Sequence, residues 1–168
     1  YFKLGNQTEV LRFANEVLGD ANTNTEVINE ATFYKAKALF ETNKLNQAQV
    51  VFEEVITQQS VSKIKAESAY HLALIKHKKG EFEDSKADCF FIKNEYASYT
   101  YWVVKTFILL ADNYKALDNI FQAKATLQSI INNYNGDQAL IDEANEKYNE
   151  LVALELENSK INLQDDTI

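Results

Sequence analysis

The chain has 168 residues, a formal net charge of −8 and a hydrophobic share of 46%. The hydrophobic share supports a folded core, and the acidic balance disfavours nucleic acids and anionic membranes as partners, because both attract clustered Lys and Arg. Proline is absent and only four glycines occur. This composition excludes an all-β domain, in which turn residues would recur every ~8 to 12 residues.

Apolar residues recur at helical spacing throughout, so we predict an all-α chain with at least seven helices and no strand. The opening YFKLG is typical of the last turn of a helix closed by a glycine, so we expect the chain to belong to a longer protein. Thr23 with Glu26 forms a capping box, and Asn46 and Ser62 are candidate N-caps. The predicted helices span about 7–18, 26–42, 46–58, 97–117, 121–133 and 138–157, with a further pair in 62–92 on either side of Gly80.

Four residues suited to tight turns recur at nearly constant spacing. Gly5, Asn43, Gly80 and Asp118 are separated by 38, 37 and 38 residues. A period of this size is typical of stacked helical repeats, in which each unit buries its apolar face only against its neighbours. We therefore predict one repeat domain over 1–158, with units at about 1–24, 25–61, 62–96 and 97–136 and a capping helix at 137–158, followed by a flexible tail at 159–168.

The helix behind each turn keeps its apolar or small residues at fixed offsets, which supports the same division. Three sets share an offset: Val10, Ala48, Ser85 and Ala123; Ala14, Phe52, Cys89 and Leu127; and Val17, Val55, Ile92 and Ile130.

The fourth unit carries the closest likeness to a known family. Phe107-x2-Leu110-Ala111-x2-Tyr114, followed by Ala123-x3-Leu127, resembles the tetratricopeptide repeat. The resemblance implies a right-handed α-α superhelical solenoid of about four helical hairpins with a C-terminal capping helix. The chain departs from the family in its period, which is 37 or 38 rather than 34 residues, and in its lack of the Pro that usually ends a repeat.

The resemblance also implies a non-catalytic scaffold for protein–protein interaction. In tetratricopeptide repeats, positions five, nine and twelve of the first helix of each unit line a concave groove that holds a peptide or a partner domain. In this sequence those positions are Phe33, Lys37 and Phe40, then Tyr70, Leu74 and His77, then Ile108, Asp112 and Lys115. The opposing interpretation, that Phe33, Phe40 and Tyr70 are buried against the adjacent hairpin, stays open at this point.

A second function also stays open, in which the chain is a structural spacer or a self-association segment of a larger bacterial envelope protein. The stretches WVVKTFILLADNY and FQAKATLQSIINNY are similar to the C-terminal units of large bacterial tetratricopeptide proteins. Many of those belong to Gram-negative envelopes, so the likeness implies a periplasmic or envelope location, with the cytoplasm as the alternative.

Residues capable of chemistry are few and scattered. Cys89 is the single cysteine and shares its offset with Phe52 and Leu127, so we expect a buried small side chain rather than a reactive thiol. His71 and His77 are six residues apart and face different sides of a helix, which makes them poor ligands for one metal and typical of surface or groove positions. We predict no enzyme activity, no cofactor, no metal site and no transmembrane segment.

Overall fold

The computed structural model describes residues 7–57 and 62–165, which form eight α-helices and no strand. The all-α prediction is therefore confirmed for this part of the chain. Asn46 and Ser62 were expected as N-caps, but Asn46 lies inside its helix and Ser62 is the first helical residue of the next. The helices are α1 (Gln7–Gly19), α2 (Thr25–Glu41), α3 (Leu45–Thr57), α4 (Ser62–Lys78), α5 (Phe82–Glu95), α6 (Thr100–Ala116), α7 (Ile120–Asn133) and α8 (Gln138–Asp165).

The helices belong to two compact units. Unit 1 covers Tyr1–Lys79 and contains α1 to α4, and unit 2 covers Gly80–Ile168 and contains α5 to α8. Within each unit, every helix packs against the next one along the chain, and in unit 2 α6 also contacts α8. The boundary between the units falls between α4 and α5, whereas the sequence predicts these two helices as one hairpin.

Three of the four predicted turn residues adopt the backbone conformation that closes a helix, and the fourth, Gly5, lies outside the described residues. Asn43 and Asp118 have a φ of 57° and Gly80 has a φ of 81°, all in the left-handed region. After α2, the N–H of Asn43 donates to the carbonyl of Phe40 and the N–H of Lys44 donates to the carbonyl of Leu39, both at 2.9 Å. This pair of bonds is the Schellman motif, which satisfies carbonyl groups at the helix end. The turn after α6 repeats it.

The N-terminus of α2 is capped by Asn24 rather than by the predicted Thr23. Asn24 Oδ1 accepts a hydrogen bond from the N–H of Val27 at 2.9 Å. The hydroxyl of Thr23 donates instead to the carbonyl of Val17, at 3.2 Å, and so holds the loop to the end of α1. The predicted capping box was wrong because Asn24, one residue closer to the helix, is an equally suitable cap.

The core of unit 1 forms around Phe52 of α3, whose side chain is fully buried. Its ring lies edge-on to Phe33 of α2, with centroids 6.4 Å apart, and stacks on the ring of His71 of α4 at 4.9 Å. His71 Nδ1 lies 2.8 Å from the carbonyl oxygen of Glu67, which can only accept, so Nδ1 carries a proton. His71 is therefore a buried residue that joins α4 to α3, and not the surface or groove histidine that we expected.

The core of unit 2 combines an apolar cluster from α6, α7 and α8 with a buried polar group between α5 and α6. Asn113 of α6 donates from Nδ2 to Ser85 Oγ at 2.8 Å, and the same nitrogen lies 3.8 Å from Cys89 Sγ. All three residues are buried, as expected for Cys89. Because buried polar atoms are costly without partners, this contact favours one pairing of α5 with α6.

The last helix is longer than predicted. We expected a capping helix to end near residue 158 and a flexible tail to follow, but α8 continues to Asp165. The helix passes the expected end because no glycine or proline follows Gly136, so the sequence contains no residue that stops it. Residues 166–168 of the expected tail lie outside the described residues.

Candidate binding groove

The first third of the predicted groove, on α2, packs against neighbouring helices. Phe33 is only 4% exposed and belongs to the unit 1 core. The ammonium group of Lys37 lies 2.7 Å from a carboxylate oxygen of Glu67 on α4, and both side chains are largely buried. Phe40 is half-buried and lies edge-on to His71 of α4, with ring centroids 5.1 Å apart. This face of α2 therefore contacts both α3 and α4.

The second third lies on α4, also in unit 1. Tyr70 is buried, and Leu74 and His77 are half-buried. The ring of Tyr70 contacts the ring of His71 edge-on, with centroids 5.6 Å apart. The burial of Tyr70, like that of Phe33, favours the packing interpretation that the sequence had left open.

The last third lies on α6 in unit 2 and faces α8. Ile108 is part of the buried cluster. Lys147 of α8 donates to both carboxylate oxygens of Asp112, at 2.9 and 3.1 Å, and Lys115 lies 3.6 Å from Glu150 of the same helix. Burial alone would lower the pKa of Lys147, but the hydrogen bond and charge of Asp112, together with the charges of Glu143 and Glu150, outweigh burial and raise that pKa. The predicted groove residues of α6 thus hold α8 in place, and partner binding by the nine residues stays a prediction.

An open apolar groove lies elsewhere, between α1 and α2 in unit 1. It has a volume of about 290 Å³. Phe13 of α1 is 55% exposed and Val27 of α2 is 42% exposed, although both are large apolar residues. The lining consists of Val10, Phe13, Ala14 and Val17 from α1 and Val27, Glu30, Ala31 and Tyr34 from α2.

The α1 side of the groove lies at repeat positions that are buried elsewhere in the described part of the chain. Val10, Ala14 and Val17 share their offsets with residues of α3, α5 and α7 that are fully or almost fully buried. Val10 and Val17 are half-buried, and residues 1–6, which precede α1, lie outside the described residues. The equal spacing predicts burial at all three α1 positions, so the sequence alone does not indicate this groove; of the three, Ala14 is buried, at 5% exposed.

The other candidates for chemistry do not form a site. In the part of the chain that the structure describes, no group of three His, Cys, Asp or Glu residues is arranged to hold a metal ion. Burial raises the pKa of the Cys89 thiol from 9.0 to about 12, helped by the charge of Asp88, so the thiol stays protonated and unreactive at neutral pH. None of the described helices has the length and apolar character needed to span a bilayer.

Comparison of the chain with protein-family models, with curated proteins and with solved structures gave no match.

Proposed function

We propose that this chain is a non-catalytic protein-binding module, built as a right-handed tetratricopeptide-like solenoid, that binds a partner protein in the groove between α1 and α2. The repeat architecture is supported by the constant turn spacing and by left-handed residues at Asn43, Gly80 and Asp118. It is also supported by the matching burial of equivalent residues in α3, α5 and α7.

The proposed binding site is the α1–α2 groove. Exposed apolar residues that are contiguous on a surface mark interaction sites more often than isolated ones do, and aromatic residues commonly supply much of the binding energy. Phe13 and Val27 meet this description because they line one groove from two helices. The nine predicted residues meet it less well, since Phe33, Tyr70 and Ile108 are buried.

A peptide-display selection tests the proposal. Random peptides are selected on the immobilised chain, and the enriched peptides are then measured on two variants that make the same substitution at exposed valines. Val27→Asp places a charge in the groove, and Val50→Asp places it on α3, where Val50 is 64% exposed and outside the groove. We expect Val27→Asp to abolish binding and Val50→Asp to preserve it. Enrichment of peptides that bind both variants equally, or no enrichment at all, would contradict the proposed function.

A specific observation also favours self-association as a second function. Phe90 and Phe91 of α5 are both exposed, whereas the residues at their offsets in α1, α3 and α7 are all polar. A solvent-facing aromatic pair where the repeat otherwise places polar side chains suits contact with a second copy. Sedimentation velocity of the chain and of Phe91→Ser tests this alternative. A dimer that is lost in the variant supports it, and a monomer at all concentrations refutes it.

A further inference from the structure

We propose that Asn135 is a spontaneous modification site, at which the folded chain loses ammonia and gains an isoaspartate in its backbone. Asn135 and Gly136 lie in the link between α7 and α8 and form the single Asn-Gly pair in the sequence. Both residues are exposed. This site belongs to unit 2 and is independent of the α1–α2 groove.

The reaction needs only water as a second reactant. The backbone nitrogen of Gly136 loses its proton and attacks Cγ of Asn135, a C–N bond forms, and the side-chain amide leaves as ammonia. Water then opens the resulting five-membered ring at one of its two carbonyl carbons, and no electrons are gained or lost. One opening gives aspartate, and the other gives isoaspartate, in which the backbone runs through Cγ. Glycine favours the attack because it has no side chain to obstruct it.

The attacking nitrogen is accessible in this link. Helix α7 ends at Asn133, and Tyr134 has an extended backbone, with a φ of −93° and a ψ of 130°. Within the described residues no hydrogen bond holds the N–H of Gly136. A hydrogen-bonded N–H would be slower to attack, because that bond must break first. The nitrogen of Gly136 can therefore approach the side chain of Asn135.

Asn133 provides a comparison two residues earlier in the chain. It is also exposed, but the N–H that follows it, on Tyr134, donates to the carbonyl of Ile130 at 2.9 Å. The side chain of Asn133 is held as well, since Nδ2 donates to the carbonyl of Ser129 at 2.9 Å. Asn133 should therefore stay intact under conditions in which Asn135 reacts.

The fold itself requires the glycine that makes the pair reactive. A Cβ at position 136 would collide with the ring and the hydroxyl of Tyr134. That hydroxyl accepts a hydrogen bond from the N–H of Asp137 at 2.9 Å, and Tyr134 packs against the core of unit 2. The ring is thus held over Gly136, and a residue with a side chain would displace it.

The isoaspartate would change the attachment of α8. It lengthens the backbone between Asn135 and Gly136, next to the hydrogen bond that joins Tyr134 to Asp137. Asp137 in turn caps α8, because its Oδ1 accepts a hydrogen bond from the N–H of Ala139 at 2.9 Å. We expect the first turn of α8 to open more often in the isoaspartate form. Aspartate keeps the ordinary backbone and should leave this turn intact.

Peptide mapping of the folded chain tests the site. The protein is incubated for days to weeks near neutral pH, digested and analysed by mass spectrometry, with a sample digested at once as the reference. Electron-transfer fragmentation distinguishes isoaspartate from aspartate. We expect the mass gain of amide hydrolysis at Asn135, mostly as isoaspartate, and not at Asn133. Asn135→Gln keeps the amide but would need to form a larger ring, so the modification should be lost in this variant.

Hydrogen exchange tests the effect on α8. Exchange is compared among the fresh chain, the incubated chain and Asn135→Asp, which reproduces the aspartate product. We expect faster exchange in the first turn of α8 in the incubated chain only. Retention of fast exchange in incubated Asn135→Gln would show that another change in the chain is responsible.

Three results would overturn the inference. If Asn135 stays intact in the folded chain but reacts once the chain is unfolded in urea, the link protects it. Equal modification of Asn133 and Asn135 would show that the hydrogen bonds of the backbone do not select the site. Equal exchange in the fresh and incubated chains, with isoaspartate present, would show that the modification leaves α8 attached.

Discussion

Replacing Phe33 with alanine distinguishes a groove residue from a core residue. The side chain is 4% exposed, its ring contacts Phe52 at 6.4 Å, and the ammonium of Lys37 lies 5.3 Å from its centre. Truncating a buried phenylalanine costs ~3–5 kcal/mol, which covers the lost apolar burial and the cavity left behind. Folded proteins are stable by only ~5–15 kcal/mol, so Phe33→Ala should remove a large part of the total.

The assay is urea unfolding followed by circular dichroism, with a thermal scan as a second measurement. For a domain of this size, ~3–5 kcal/mol corresponds to a fall in Tm of roughly 6–20 °C. Phe13→Ala is the matched control, because it makes the same substitution at a side chain that is 55% exposed. We expect the control to cost less than ~1.5 kcal/mol, since little apolar surface is uncovered there.

A loss of less than ~1 kcal/mol in Phe33→Ala, with the helical signal intact, would contradict the core position of Phe33. That result would mean that Phe33 is free to serve a partner, as the family resemblance first implied. The α1–α2 groove would then not be the better candidate for the binding surface.

Three further predictions test the unit 2 core and its ion pair. Ala111→Leu should overfill the buried cluster and lower the free energy of unfolding in urea by ~1–3 kcal/mol. The control, Ala125→Leu, lies at an exposed position of α7 and should lower it little. Equal losses of stability in the two variants would contradict the buried packing of Ala111. Cys89 should resist iodoacetamide at about pH 8 until the chain is unfolded, because its pKa is raised to about 12, and rapid labelling of the folded chain would argue against burial. Asp112→Asn should be less stable than the natural chain at neutral pH. Because the pKa of Lys147 is raised above 10.5 in the fold, this difference should shrink as the pH rises past 10.5, and a difference that stays constant would exclude the ion pair as its source.

The helices and their turns were predictable because both depend on residues close together in the chain. Apolar spacing of three and four residues marked each helix, and Asn43, Gly80 and Asp118 were suited to the left-handed conformation that they adopt. The predictions failed where two local solutions were equally good, as with Thr23 and Asn24 at the start of α2.

The pairing of distant residues could not be read from the sequence. Lys37 contacts Glu67, and Asn113 contacts Ser85; in each pair the two residues are about 30 positions apart in the sequence. Nothing near Asn113 in the sequence distinguishes a buried amide from one that faces solvent, because its partner lies on another helix. The burial of the aromatic residues in the predicted groove could not be predicted either, because aromatic residues are common in cores and in interfaces alike.

The ion pairs between alternate helices mean that the repeats are not interchangeable. Lys37 and Asp112 share one offset in their hairpins, yet they carry opposite charges and meet Glu67 of α4 and Lys147 of α8, respectively. A chimera with the α2–α3 hairpin in place of α6–α7 would bring the ammonium groups of Lys37 and Lys147 together in a partly buried place. These two hairpins follow one apolar pattern, but the charge at this offset makes each of them compatible with its own neighbouring helix and not with the other one.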